Sequence, residues 1–391
     1  MAAARKFPSP ATATRASPPN YFCILSRLSR YDIAVYLDYR NYQSPLWCND
    51  HQRHKRLKMP KAPITNITFG TMTLGYRGYG ARVHDAATAG GMLSTVLEFG
   101  HNQLDTCAAY GDGTCEEMLG DLHAAERFGI ATRIHSGSNR GHEPENLKRV
   151  FRESLARLKT NKVKIFYLVT PDGTTPIEST LSAVQELHDE GLFEEFGLSN
   201  YMAWQVAEVM EIAARQGWIR PSVYQGMYNA ITRAVEPELF KCLGHYGIRF
   251  HGFNPLAGGA FSKNFADHAP VAAGSRFDSS TAQGKLYRER YMNDAYLDAL
   301  AEIHRSCDAH GLDAISVALR WLVHHSQLSV ERNDGIILGA SSVEHLRHNL
   351  AALTEGPLPT EVLAAIDEAA LKAQPKWPSY FFGAGFDTRS K

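Results

Sequence analysis

The sequence predicts an α/β fold of one type, a (β/α)8 TIM barrel carried as a single domain behind an N-terminal extension, and three observations lead there. Eight short runs rich in β-branched and aromatic residues follow one another from Ile64 onward. Longer amphipathic runs fill the gaps, the rhythm of parallel strands joined by helices. No Gly-x-Gly-x-x-Gly opens a helix after the first strand, as a doubly wound dinucleotide fold would need.

The expected strands are "ITFGT" (67–71), "QLDT" (103–106), "IATRI" (130–134), "KIFYLV" (164–169), "EEFGLS" (194–199), "SVYQG" (222–226), "IRFHGF" (248–253) and "IILGA" (336–340). Helical patterns occupy 85–99, 114–125, 145–158, 177–189, 202–216, 235–246, a long region 294–325, and 342–353. The helix at 177–189 has the clearest boundaries: Thr175-Pro176 and Glu178 mark its start, and Gly191 lies just past its end.

Composition narrows the rest. At 391 residues with 44% hydrophobic and 21% charged, the chain can hold one large domain plus an appendage. No apolar run approaches the roughly 20 residues needed to span a bilayer. The first 58 residues hold ten Lys or Arg against three Asp, which by subtraction from 41 of each sign leaves 31 basic against 38 acidic in the body. A mildly acidic body argues against a nucleic-acid partner. The cysteines at 23, 48, 107, 115, 242 and 307 form no Cys-x-x-Cys pair and have no zinc-like His spacing. That predicts no metal and a reduced, cytoplasmic protein. The Asn66-Ile67-Thr68 sequon is then fortuitous.

Residues 1–58 read differently from 59–391. "FPSPATATRASPPN" gives way to a Tyr-rich stretch and then "HQRHKRLK". Poverty in acids with Arg and Ser in the first 31 residues fits a mitochondrial presequence. A disordered extension, or translation starting naturally at Met59, fits as well.

In a (β/α)8 barrel the active site lies where the strands end. Polar residues at those ends are Asp105, Arg133, His135, Thr170, Asp172, Ser199, Asn200, Gln225, Asn254, Ser341 and Ser342. Within "LDTCAAYGDG" a carboxylate and a phenol share one exit, Asp105 and Tyr110. A phenol near a cation gains acidity from its usual value of about 10 and can donate to an oxyanion, while the carboxylate holds that cation. The alternative is a Tyr that packs a loop, with Asp105 as a helix cap.

From these residues outward the chain resembles the aldo-keto reductases, most closely the aflatoxin-aldehyde reductase branch, over residues 64–382. The motifs are "FGTMTLG", "LDTCAAYGDG", "LFEEFGLSNYMAWQVAE", "VYQGMYNAITR", "FNPLAGG" and "ILGASSVEHLRHNL". The resemblance implies an NADPH-dependent reductase with a tetrad of Asp, Tyr, Lys and His. Asp105 and Tyr110 match it; the Lys position holds Arg133 and the His position Val169. Arg133 keeps the charge but is no Lys substitute in a proton relay. Val169 removes a hydrogen bond to the substrate oxygen, a contribution worth roughly 2–4 kcal/mol in oxyanion sites. His135, two residues beyond Arg133 and on the same face of the strand, is the candidate replacement; the alternative is a loop His with no role.

The resemblance further implies Ser199, Asn200 and Gln225 on the nicotinamide carboxamide, Phe253 on the ring, and Asn254, Pro255, Leu256, Gly258 and Gly259 around the pyrophosphate. Ser341, Ser342 and Asn349 would take the adenosine phosphate, with Arg276 as a clamp. Tyr287 and Arg290 would reach over the mouth toward the substrate. Where the family carries a carboxylate-binding Arg this chain has Phe382, which with Val169 implies a bulky, apolar, flat substrate. The partners expected are a small molecule and, as in relatives, a homodimer, with no membrane. Three functions remain open: reduction of a carbonyl or conjugated alkene, non-redox dehydration or cyclisation on the same scaffold, and a nucleotide-binding regulator with weakened catalysis.

Overall fold

The computed structural model describes residues 63–382 apart from 138–140, 267–270 and 272–273; the extension expected at 1–58 lies outside the described residues. Eight strands, β1 (Asn66–Gly70), β2 (Gln103–Asp105), β3 (Gly129–His135), β4 (Val163–Val169), β5 (Phe193–Ser199), β6 (Val223–Met227), β7 (Arg249–Phe253) and β8 (Gly335–Gly339), are all parallel and close in sequence order into a barrel. Each lies within one residue of its expected bounds.

The helices are α1 (Ala86–Glu98), α2 (Thr114–Asp121), α3 (Pro144–Arg157), α4 (Ile177–Asp189), α5 (Ala203–Gln216), α6 (Leu239–Tyr246), α7 (Lys263–Ala266), α8 (Ala282–Tyr291), α9 (Asp294–Ala309), α10 (Ala314–His324), α11 (Val343–Ala352) and α12 (Thr360–Ala373). Three departures from the sequence reading have physical causes. The region 294–325 is two helices, because Gly311 takes φ 64° and Asp313 caps α10 by accepting from Ser316 N. The pattern at 114–125 breaks after Asp121, where His123 turns left-handed at φ 50°. Helices α7, α8 and α12 were not anticipated. In α8, "AQGKLYRERY" is mostly polar, and the buried rings of Tyr287 and Tyr291 with the Thr281 cap hold it in place.

Alternation along each strand sorts side chains into two compartments. Outward residues such as Ile134, Phe166, Leu168 and Phe196 pack under the helices. Burying each stabilises by at most roughly 1.5–3 kcal/mol. Inward, Ala131, Ile165, Tyr167 and Val223 form a small apolar plug. Arg133, Val169, Ser199 and Gln225 stand above it at the strand ends. Three strands leave the barrel through a left-handed residue: Thr170 (φ 66°), Asn200 (φ 60°) and Asn254 (φ 64°). Asn tolerates that region, whereas a β-branched Thr rarely enters it. Among the described residues no helix is long and apolar enough to cross a membrane.

Candidate active site

The strand ends open into a cavity of about 840 Å³. Its lining includes Asp105, Tyr110, Arg133 and His135 together with Val169, Ser199, Asn200, Gln225 and Phe253. Residues 254–256, Gly258, Gly259, Arg276, Tyr287, Arg290, Ser341 and Asn349 line it too. Four residues named from the sequence do not: Thr170, Asp172, Ser342 and Phe382. Asp172 accepts from the Thr174 and Thr175 hydroxyls. Ser342 instead caps α11, accepting from His345 N at 3.1 Å. Phe382 lies beside the lining, its ring 5.1 Å from the Arg290 guanidinium and its N–H donating to Asn200 O at 3.2 Å.

The cavity floor is a closed polar network. Arg133 donates from Nε to Thr106 O at 3.0 Å, from Nη1 to Gln225 Oε1, and from Nη2 to Asp105 Oδ1. Gln225 Nε2 donates to the same Asp105 oxygen at 2.8 Å. The Gln225 amide, expected at the nicotinamide, is thus spent on the floor: the fork of an arginine reaches and engages an acceptor as well as the carboxylate. From outside the barrel, buried Glu116 steadies β3 by accepting from Thr132 Oγ1 at 2.6 Å while pairing with Arg157.

Charges follow from this packing. Burial raises the Asp105 carboxyl, with the Arg133 charge and the Gln225 bond opposing it. Burial is the largest single influence and works against the Arg133 charge, but Asp105 together with Tyr110, Cys107 and Tyr167 outweighs it, so the guanidinium keeps its proton. Tyr110 differs from expectation. The Arg133 guanidinium lies 5.9 Å from its ring and favours phenolate, but burial dominates and drives the phenol above its ordinary value. The structure therefore stores the proton on Tyr110. His135 opens onto the cavity, yet desolvation by the surrounding walls, then the charges of Arg133 and His142, depress it to about 4. It is a neutral imidazole at pH 7. In the β3–β4 ladder His135 is the register partner of Val169.

The opposite wall is less satisfied. After β7, Asn254 donates from Nδ2 to Tyr291 Oη at 2.5 Å, while its Oδ1 is buried without a partner. Ala257 (φ 49°), Gly258 (φ 74°) and Gly259 (φ 101°) form a left-handed run of the kind that presents N–H groups to an anion. A Cβ at Gly258 would stand 2.4 Å from the Tyr287 ring. The left-handed backbone concavity, with its N–H groups, fits a phosphate-bearing dinucleotide.

Sequence reasoning missed part of the lining: Met72, Tyr79 and Arg82 after β1, Phe265, Val271 and Phe277 in the long connection after β7, and Gln283 and Leu286 on α8. The aromatic and aliphatic members make the mouth apolar. Arg347, one of the cations available near the adenosine end, turns away to Glu98 at 2.5 Å, whereas His345 and His348 do line the cavity.

The model of the aldo/keto reductase family matches residues 66–371. The chain is 40% identical to human aflatoxin B1 aldehyde reductase member 2 over 337 residues, 83% of this chain and 92% of that one. It is 41% identical to human aldo-keto reductase family 7 member A3 over 320 residues, 79% and 96% of the two chains. The aldo-keto reductase pigE of Monascus ruber is 37% identical over 324 residues, 79% and 94%.

Proposed function

The chain belongs to the aldo/keto reductase family and is an oxidoreductase, and from that premise we propose that it uses NADPH to reduce a carbonyl or conjugated alkene of a bulky, apolar substrate, with Tyr110 as proton donor. The observation that carries the reading is the convergence of Tyr110, Arg133 and Asp105 on the floor of a cavity whose other wall is an unsatisfied, glycine-lined concavity.

A bound nicotinamide supplies the hydride. Ser199 and Asn200 at the β5 exit would hold it, with Phe253 also in the lining. The backbone from Asn254 to Gly259 holds the phosphates, with Arg276 above. Ser341, His345, His348 and Asn349 at the β8 exit favour a 2′-phosphate over a bare ribose. Tyr110 holds its proton at Oη until the substrate gains negative charge, then releases it. The phenolate left behind faces Arg133, whose charge stabilises it and whose position Asp105 fixes. His135, neutral across physiological pH, donates a hydrogen bond to the substrate oxygen from beside the position where Val169 has none. Met72, Phe265, Phe277 and Leu286 supply apolar surface for a flat substrate and shed water from it.

The test is titration of the protein with NADPH, followed by loss of nicotinamide absorbance as aryl aldehydes, quinones and enones are added. Turnover is expected on at least one apolar class, and product analysis then assigns carbonyl or alkene as the acceptor. Tight binding without oxidation of NADPH by any of the panel would sink the redox reading.

A further inference from the structure

Arg82, Arg276 and Arg290 line the cavity, and among the described residues none has a carboxylate partner. Arg290 rests between two rings, 5.7 Å from the centroid of Tyr287 and 5.1 Å from that of Phe382. The other two are placed differently. Arg276 lies 5.4 Å from the Tyr287 centroid, its Nε is buried with no hydrogen bond, and a Cβ on Gly258 would stand 3.4 Å from its Cδ. It therefore overhangs the left-handed backbone of 257–259. Arg82 ends the loop after β1; its N–H donates to Thr73 O at 2.8 Å, and Thr73 Oγ1 donates to Ala340 O at 2.5 Å, tying it toward the β8 exit.

Arg82 and Arg276 thus approach the same space from the β1 and β7 sides, with the β8 exit between them. That is where (β/α)8 barrels bind phosphate, at the loops after the seventh and eighth strands. Burial, then the like charge of Arg276, works against protonation of Arg82. Two guanidinium groups that line one cavity without an acid partner are unfavourable until an anion enters. The two sides already meet above the cavity, where Gln283 Nε2 lies 3.7 Å from Met72 Sδ.

We propose that Arg82 and Arg276 are the two halves of one anion clamp that closes from opposite loops on the diphosphate of the dinucleotide. The inference rests on the dinucleotide reading above and adds Arg82 to it. Each arm engages phosphate by charge-assisted hydrogen bonds, and the strap through Gln283 and Met72 keeps the arms opposed.

The experiment is binding, read by calorimetry and by quenching of protein fluorescence, of NADPH, NADH and ADP-ribose to the full chain and to its Arg82→Ala and Arg82→Lys variants. Arg82→Ala is expected to weaken all three nucleotides alike, by about tenfold to a hundredfold, and to flatten the salt dependence of binding. Arg82→Lys should fall between, keeping charge but losing the fork. An unliganded melting temperature equal to or above wild type checks that the variants fold. Loss confined to NADPH would assign Arg82 to the 2′-phosphate and overturn the clamp. Unchanged nucleotide binding with only the substrate KM moved would overturn it too. A wild-type chain that binds no dinucleotide at all overturns the cofactor reading itself, a result distinct from either.

Discussion

On the β2–β3 side of the cavity, all three guanidinium nitrogens of Arg133 have protein partners, and Asp105 accepts from two donors at once. On the β7 side, Asn254 Oδ1 and Arg276 Nε are buried with none. The two walls share one cavity and one solvent, so under the proposed function the difference matches the tasks assigned to them. A catalytic wall must hold a charge in one place before substrate arrives, which requires its bonds to be made within the protein. A binding wall can leave side chains without protein countercharges, as Arg276 is left, because a ligand is to supply them.

The largest effect expected from breaking this contrast is at Tyr110. Tyr110→Phe should lower turnover by roughly 10²–10⁴-fold while nucleotide affinity stays at the wild-type value, because only the proton donor is removed; paired kinetics and binding read the split. Next is Asp105→Asn, which leaves Arg133 buried without a countercharge. A loss of about 3–5 kcal/mol in urea unfolding is expected, and a change under 1 kcal/mol would mean the pair is worth little. Acid should then separate buried from exposed histidines. Burial depresses His142 to about 4 and His251 to about 3, so the unfolded chain takes up protons first as pH falls below about 6.5. Stability should be full above pH 6.5 and decline from there toward pH 4 and below, and melting curves across that window check it. On the binding wall, Gly258→Ala places a methyl 2.4 Å from Tyr287 at φ 74°. It should weaken NADPH by about tenfold, with kcat retained at saturation. The smallest effect is His135→Ala, about tenfold or less in kcat/KM for a carbonyl substrate and none for an alkene; equal losses on both would remove its assignment to the substrate oxygen.

Much of the fold was legible because each strand in a parallel barrel is buried on both faces and so appears as a compact apolar run, "KIFYLV" most plainly. Helix α8 was hidden, since its polar sequence has no strong periodicity and two tyrosines rather than a stripe anchor it. Asp105, Arg133 and His135 were readable because strand periodicity dictates which side chains face inward at an exit, whereas Tyr110, on the turn after β2, was readable only from the motif around it. Arg82 and Tyr79 were not. They sit on a loop shaped by Gly75, Gly78 and Gly80 at φ 149°, 87° and 80°, and no local pattern says where such a loop returns. Gln225 shows a third case: its position was anticipated, but its partner depends on the length of a side chain from another strand.

The pairing of His135 with Val169 across the β3–β4 ladder bears on how such enzymes diverge. Neighbouring parallel strands run about 4.8 Å apart, less than the reach of an imidazole. A functional group can therefore migrate sideways by one strand through two point substitutions, with no insertion and no change of backbone. Position-by-position comparison of sequences scores such a lineage as having lost a residue. A barrel compared around its rim, strand beside strand, registers the same event as a relocation, and proteins dismissed as inactive on the first criterion are worth screening again on the second.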